Sequence, residues 1–201
     1  MFRRSMLGVI GLMIAMIAFA PSTLAAGPAR FGAKLTTDTF PSNAFQGKWC
    51  NDDHDSCTWV ERQAYSRPTG YKAPKDGTIR KIRLIAGVPG GFRLQLARVR
   101  AGDTPGTYET KIVRQGKYIN YEGQDPSWDD PDPLKVESFT VNLTVKKGDY
   151  LAIKASKASF LRCDSGGARI LQSEPPLPVG GSFQEPDQTD GCFMLLEAVY
   201  A

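Results

Sequence analysis

The chain has 201 residues, of which 41% are hydrophobic and 23% charged, with 25 basic and 21 acidic side chains. Its formal net charge of +4 includes two arginines among the first 25 residues, so the remaining 176 residues are close to balanced. This balance argues against nucleic-acid binding, which normally shows a clustered basic face, and the length suits one domain with a sizeable core.

The first 25 residues have the three parts of a secretory signal peptide. Arg3 and Arg4 give a positive start, an apolar run extends from 6 to 20, and small residues precede Ala25. An uncleaved membrane anchor is the alternative, but the run is shorter than the roughly 20 residues that a helical span needs. We therefore predict cleavage after Ala25, a secreted or periplasmic protein, and no stable membrane anchor after cleavage.

Three segments are predicted along the chain, without an internal repeat. They are the signal peptide (1–25), an extended N-terminal segment (26–47) and a β-sandwich domain (48–201). The extended segment is rich in Ala, Gly, Pro, Thr and Ser, and we expect one edge strand in it near Leu35–Phe40.

Four cysteines in an exported chain predict two disulfides, for which three connectivities exist. We favour Cys50–Cys57 together with Cys163–Cys192, because Cys50 and Cys57 are close neighbours in "KWCNDDHDSCTW". That stretch is then a disulfide-closed turn between two strands, with Trp49 and Trp59 packed around the bridge. Zinc ligation is the rival interpretation, but the chain has no Cys-x-x-Cys or His pair, so we predict no metal and no cofactor.

Apolar and polar residues alternate with a period of two through much of the chain, which is typical of half-buried strands. Clear examples are "GFRLQLARVR" and "FTVNLTV", with turn sequences such as "PKDGT" and "VKKGD" between the runs. In the first example the alternation slips after Leu96, which predicts a bulge near Ala97 and Arg98. About eight short strands predict an all-β fold, a single antiparallel β-sandwich of Greek-key or jelly-roll type.

Two long segments rich in Pro, Gly and acids, 118–135 and 172–191, are predicted as loops. Loops of this length are either functional or loose. The first one combines aromatic rings with acids and amides, as sugar binding requires. Its predicted ligand-binding residues are Tyr118, Tyr121, Trp128 and Asp129. Tyr118 and Tyr121 are three apart, so alternation would place them on opposite faces of a strand, and at least one can be a core residue.

The runs "DGTIRKIRLIAG…GGFRLQLARVR" and "FTVNLTVKKGDYLAIKAS" and the closing "CFMLLEAVYA" carry a resemblance over roughly residues 76–201. This part of the chain resembles a group of exported bacterial β-sandwich proteins, mostly without assigned activity. They are similar in architecture to carbohydrate-binding and lectin-like jelly rolls. The resemblance implies the fold and leaves function to the site.

Catalysis is limited by the single histidine, His54, on which any Ser–His or Cys–His scheme would depend. "CDSGG" at 163–167 resembles the nucleophile signature of trypsin-like proteases, but Cys163 replaces a required glycine, and we read Ser165 as part of a turn. No catalytic residue is therefore predicted.

Carboxylate chemistry stays open as an alternative, with candidate acids Glu122, Asp125, Asp129, Asp130, Asp132 and Glu137. Calcium binding is also open, through Asp52, Asp53 and Asp55 or through Asp129, Asp130 and Asp132.

The preferred hypothesis is a secreted, disulfide-stabilised β-sandwich binding module whose ligand is carbohydrate or cell-envelope material. The alternatives are a carboxylate-based polysaccharide hydrolase or lyase and a structural or adhesive surface protein. The sequence does not determine the oligomeric state.

Overall fold

The computed structural model describes residues 29–35, 46–50, 54–62, 70–124, 134–155, 157–163 and 170–200. For 46–49, 157–159, 162 and 163 it describes the backbone only. These ranges contain strands and no α-helix, and accordingly hold no helix of the length and hydropathy that a membrane span requires. The predicted all-β class is confirmed.

Thirteen strands lie within the described ranges, more than the eight or so predicted. They are β1 (Arg30–Gly32), β2 (Gln46–Trp49), β3 (Cys57–Glu61), β4 (Gly77–Leu84), β5 (Gly90–Ala101), β6 (Tyr108–Tyr121), β7 (Glu137–Val145), β8 (Tyr150–Ala155), β9 (Lys157–Cys163), β10 (Ile170–Ser173), β11 (Gln188–Asp190), β12 (Cys192–Met194) and β13 (Leu196–Tyr200). Much of the excess consists of strands of three or four residues, which are too short to show a period of two in the sequence.

The strands form three antiparallel sheets. The two larger sheets have the orders β1-β13-β4-β7 and β11-β10-β3-β8-β5-β6, and the smallest has the order β12-β9-β2. Strands that are neighbours in a sheet are mostly distant in sequence, so the chain crosses repeatedly between sheets. This arrangement agrees with the predicted β-sandwich.

Inward side chains of the two larger sheets make one main core. Phe92, Leu94 and Leu96 alternate along β5, and Ile79 and Ile82 face them from β4. Trp59 of β3 is fully buried in the same core cluster as Cys50 and Cys57, and its packing on the bridge stays a prediction. The Trp49 side chain lies outside the described part.

Two pairs of consecutive strands pass directly from one sheet into the next. β8 belongs to the six-stranded sheet, and β9 begins two residues later in the three-stranded sheet. β12 and β13 likewise join the three-stranded to the four-stranded sheet, with only Leu195 between them. β6 and β7 are edge strands of the two larger sheets and are not paired with each other, so the sandwich is open between them.

The segment 174–187, the middle part of the second predicted loop (172–191), covers the outer face of the six-stranded sheet. Leu177 packs there on Val60, Ala97 and Ile112, in a second apolar cluster. Backbone hydrogen bonds join Gly180 and Gln184 of the same segment to β6. This part of the predicted loop is therefore a structural cover.

The predicted bulge near Ala97 is present, but the extra residue belongs to the partner strand. Leu96 pairs with Arg114 and Ala97 with Ile112, so Val113 of β6 is the inserted residue. Val99 packs with Ala97 in the outer cluster, beneath the cover. The apparent slip in the sequence reflects a strand whose second face is also buried.

The segment 26–47 contributes more to the sandwich than an extended lead-in would. β1 pairs with β13, with Arg30 opposite Val199, and β2 pairs with β9. Most of the edge strand expected at Leu35–Phe40 falls on residues 36–40, outside the described part.

Candidate ligand-binding groove

A groove of about 340 Å³ lies at the open edge of the sandwich, between β6 and β7. Its lining combines apolar side chains with polar and cationic ones. The lining residues are Leu94, Gly116, Lys117, Tyr118, Ile119, Thr140, Val141, Asn142 and Leu143. Ile119 and Leu143 belong to the main core, so the groove has an apolar base continuous with the interior.

A β-bulge in β6 lies directly at this groove. Arg93 pairs with Tyr118 and Gln95 with Gln115, so Gly116 and Lys117 together oppose the single residue Leu94. A bulge bends its strand and re-aims side chains, and bulges are over-represented beside functional sites. Here it brings an exposed lysine to the rim of the groove.

Tyr118 is the predicted ligand-binding residue that lies in the groove. Its side chain is 52% exposed, and its ring lies over Gly91, where an added Cβ would be 2.5 Å from the hydroxyl oxygen. The guanidinium of Arg93 is 5.8 Å from the ring centroid. Gly91 therefore makes room for an aromatic ring that is held against the sheet and still open to solvent.

Tyr121 lies on the opposite face of β6, as the spacing predicted. It is only 4% exposed, and its ring packs against Phe92 and Phe160 at centroid distances of 6.2 and 5.5 Å. A side chain buried in this way offers no ring face to a ligand. Its position argues against the predicted binding role and gives Tyr121 a packing role.

Trp128 and Asp129 lie outside the described residues, as do Asp125, Asp130 and Asp132. Their predicted roles in ligand, calcium or carboxylate chemistry stay predictions. The aromatic–acidic segment is also shorter than expected, because residues 118–121 belong to β6.

Sequence reasoning missed the polar residues on the β7 side of the groove. Thr140 and Asn142 are exposed and line it, and Arg80 of β4 donates a hydrogen bond of 2.9 Å to Asn142 Oδ1. In the sequence these residues are ordinary outward positions of alternating strands. Only the meeting of two edge strands from different sheets makes them part of a groove.

Glu137 connects the ends of β6 and β7. Its carboxylate accepts hydrogen bonds from the backbone N–H groups of Glu122 and Gly123, at 2.9 and 2.8 Å. Glu122 is itself 3.4 Å from the ammonium of Lys135. Both candidate acids therefore have structural partners, and neither lines the groove.

Cys50 and Cys57 form the predicted disulfide, with their Cα atoms 5.5 Å apart. A carboxylate oxygen of Glu174 lies within 4.8 Å of both sulfurs, but sulfurs bonded to each other are not thiolate ligands. His54 is exposed beside this bridge. Ser165 and the rest of the "DSGG" segment, with the turn predicted for it, lie outside the described residues.

Cys192 is also disulfide-bonded, and its Cα lies opposite that of Cys163 in the β9–β12 pairing. Since Cys50 and Cys57 bind each other, this register is what the predicted Cys163–Cys192 bond requires. The side chain of Cys163 lies outside the described part, so that bond stays a prediction.

Two fully buried acids have structural explanations outside the groove. Asp149, in the "KKGD" turn, accepts a hydrogen bond from the Lys146 N–H at 2.8 Å and lies 3.3 Å from Arg98. Glu197 of β13 lies 2.6 Å from the guanidinium of Arg83. Buried carboxylates persist when they are paired and hydrogen-bonded in this way, so neither indicates a catalytic site.

Two side chains outside the groove have shifted pKa values. The backbone N–H of Lys147 and the ammonium of Lys146 bind Asp76 and lower the pKa of its carboxyl group. Burial raises the pKa of Tyr200 to about 12, and its hydroxyl donates to the Lys75 carbonyl at 3.1 Å. Both are local consequences of turn and core packing.

No protein-family model matches this sequence, and no curated protein or solved structure matches it significantly. The resemblance to exported bacterial β-sandwich proteins therefore stays a prediction.

Proposed function

We propose that this protein is an exported β-sandwich binding module that holds a carbohydrate chain in the groove between β6 and β7. Export is supported by the predicted signal peptide and by the Cys50–Cys57 disulfide, which suits an oxidising compartment. The proposal depends most on Tyr118, a half-exposed ring held in place beside Gly91 at the groove.

The composition of the groove supports a sugar ligand. A ring face can stack on the C–H groups of a pyranose, while Asn142, Thr140 and Lys117 offer groups that hydrogen-bond hydroxyls. A concave apolar base with a few polar groups is typical of ligand sites in general.

Binding is a better fit than hydrolysis. Polysaccharide hydrolysis requires two carboxyl groups on either side of the scissile bond. None of the described residues that line the groove is an acid, and Glu137 is occupied by two backbone N–H groups.

The test is a glycan array with the intact protein, the Tyr118→Ala variant and a control variant, Val179→Ala. Val179 is equally exposed, at 51%, but lies in the cover segment. We expect retention of one glycan class by the intact protein and the control, with at least about tenfold weaker binding by Tyr118→Ala, about 1.4 kcal/mol.

Gly91→Ala provides a second, independent test. The added methyl group would displace the Tyr118 ring without removing it, so we expect glycan affinity to fall while the fold is kept. Failure of every glycan to bind, or equal binding by Tyr118→Ala, would contradict the proposal. Release of reducing ends from a bound polysaccharide would favour the hydrolase instead.

A further inference from the structure

We infer that the glycan held in this groove is built of N-acetylated amino sugars, whose acetamido groups enter between β6 and β7. The inference rests on the proposed function and adds the chemical class of the sugar to it. It follows from the orientation of one amide, from the hydrogen-bond donors in the lining and from the apolar base beside them.

The side chain of Asn142 is oriented by Arg80. The guanidinium of Arg80 donates a hydrogen bond of 2.9 Å to Asn142 Oδ1, and since arginine has no acceptor, the amide atom that faces it must be the oxygen. β4 lies on one side of β7, and the groove lies on the other, at the free edge of the sheet. The amide oxygen therefore points toward β4, which leaves the NH2 group of Asn142 on the side of the groove.

The polar side chains of the lining offer more donors than acceptors. The NH2 group of Asn142 and the ammonium of Lys117 can only donate, while the hydroxyl groups of Thr140 and Tyr118 can also accept. None of the described lining residues carries a carboxylate. A carbonyl oxygen satisfies this set better than a sugar hydroxyl, because a hydroxyl also brings a proton that needs an acceptor.

The apolar base suits the methyl group of an acetamido substituent. Leu94, Ile119 and Leu143 line the groove and belong to the main core. A methyl group placed against them is removed from water, whereas a hydroxyl group there would lose hydrogen bonds to water without replacement. The unpaired edges of β6 and β7 also carry backbone carbonyls, which can accept the acetamido N–H.

An acetylated lysine in a peptide is the other common source of an acetamido group. A peptide that adds as a strand needs a regular ladder of backbone groups, and the bulge at Gly116 and Lys117 interrupts that ladder at the groove. The half-exposed ring of Tyr118 can stack on a pyranose. We therefore favour the amino sugar.

The experiment compares chitohexaose with cellohexaose, which share their backbone linkage and differ in the acetamido group that replaces one hydroxyl of each ring. Binding to the protein and its variants is measured by titration calorimetry. Asn142→Asp keeps the shape of the side chain but removes its NH2 group, and Arg80→Met removes the donor that orients it. An oligopeptide of N-acetyl-lysine represents the acetylated peptide.

Two control variants match these changes outside the groove. Thr144→Ala alters an exposed residue of the same strand as Asn142, and Lys81→Met removes a positive charge next to Arg80 on β4. Neither residue lines the groove. Thermal unfolding of each variant checks that the fold is kept.

We expect chitohexaose to bind at least about tenfold more tightly than cellohexaose, about 1.4 kcal/mol. Asn142→Asp and Arg80→Met should each remove most of that preference, because the carbonyl oxygen loses a donor that is held toward it. Thr144→Ala and Lys81→Met should keep the preference.

Equal binding of the two hexasaccharides, both lost in Tyr118→Ala, would overturn the amino sugar but leave the proposed carbohydrate function standing. A preference for chitohexaose that survives Asn142→Asp would also overturn the inference, since the recognising donor would lie elsewhere. Binding of no glycan here or on the array would overturn both proposals. Binding of the acetyl-lysine peptide as tight as that of chitohexaose, and unaffected by Tyr118→Ala, would overturn the amino sugar in favour of an acetylated peptide.

Discussion

Two neighbouring glycines at the start of β5 each lie beneath a tyrosine ring of β6, with opposite surroundings. A Cβ on Gly90 would overlap the buried ring of Tyr121, whereas one on Gly91 would overlap the exposed ring of Tyr118. A buried ring has no free space to move into, while an exposed ring can swing toward solvent. The same added methyl group should therefore lower the free energy of unfolding by different amounts at these two adjacent positions.

We predict that Gly90→Ala lowers the free energy of unfolding by about 1–3 kcal/mol, the usual range for overpacking. Gly91→Ala should lower it by less than about 0.5 kcal/mol, as is usual for surface changes. Urea unfolding of both variants measures the difference. Equal losses would show that the Tyr118 ring is as confined as that of Tyr121.

The opposite roles of these two tyrosines were predictable from the sequence only in part. Their spacing of three residues indicates opposite faces of a strand, and the structure places them there. Alternation places Ile119 on the same face as Tyr121, but a single apolar residue among Lys117, Asn120 and Glu122 is a weak indication of which face is inside. Burial is decided by Phe92 and Phe160, and Phe160 is about forty residues away.

At the scale of elements, the cover segment 174–187 has the least expected role. Its composition, rich in Pro and Gly, favoured a loose or functional loop. Instead it lies across the six-stranded sheet and buries Leu177 against Ala97, Ile112 and Leu171. A sheet face that carries apolar residues needs such a cover, because exposed apolar strands invite association.

We predict that Leu177→Ala destabilises the protein by about 2 kcal/mol or more, through loss of buried apolar contacts. Val179→Ala, two residues along the same segment, should cost less than about 0.5 kcal/mol, because Val179 is half exposed. Thermal or denaturant unfolding measures both. A small effect of Leu177→Ala would mean that the cover can detach without cost.

The longer strands were predictable because their alternating patterns are local. The stretches "GFRLQLARVR" and "FTVNLTV" are strands β5 and β7, as their period of two predicts, but their pairing with β6 and β4 does not follow from a local pattern. The groove was not predictable, because it lies between β6 and β7, edge strands of different sheets. Of the predicted ligand residues within the described part, the structure places Tyr118 there, while Lys117 and Asn142 become visible only from the topology.

At the scale of the whole molecule, the Cys50–Cys57 bridge joins two sheets. Cys50 directly follows β2 of the three-stranded sheet, and Cys57 begins β3 of the six-stranded sheet. β2 and β3 are not paired with each other, so the bridge links the three-stranded sheet covalently to the six-stranded sheet. Because the loop between the two cysteines is short, the bridge removes only a modest amount of conformational entropy from the unfolded chain.

We predict that the double variant Cys50→Ser, Cys57→Ser loses about 2.5 kcal/mol of unfolding free energy in the chain-entropy model. Denaturant unfolding measures the loss. Peptide mapping without reductant should identify the second bond as Cys163–Cys192. A peptide linking either cysteine of the first pair to Cys163 or Cys192 would contradict the predicted connectivity.

The position of β13 has a consequence for when the protein can fold. This strand, at residues 196–200, lies between β1 and β4, so the four-stranded sheet lacks an inner member until the chain has been synthesised almost to Tyr200. Contacts so far apart in sequence form slowly, because a long loop must close first. Closing the long loop between β4 and β13 is therefore the step that should limit how fast the four-stranded sheet assembles.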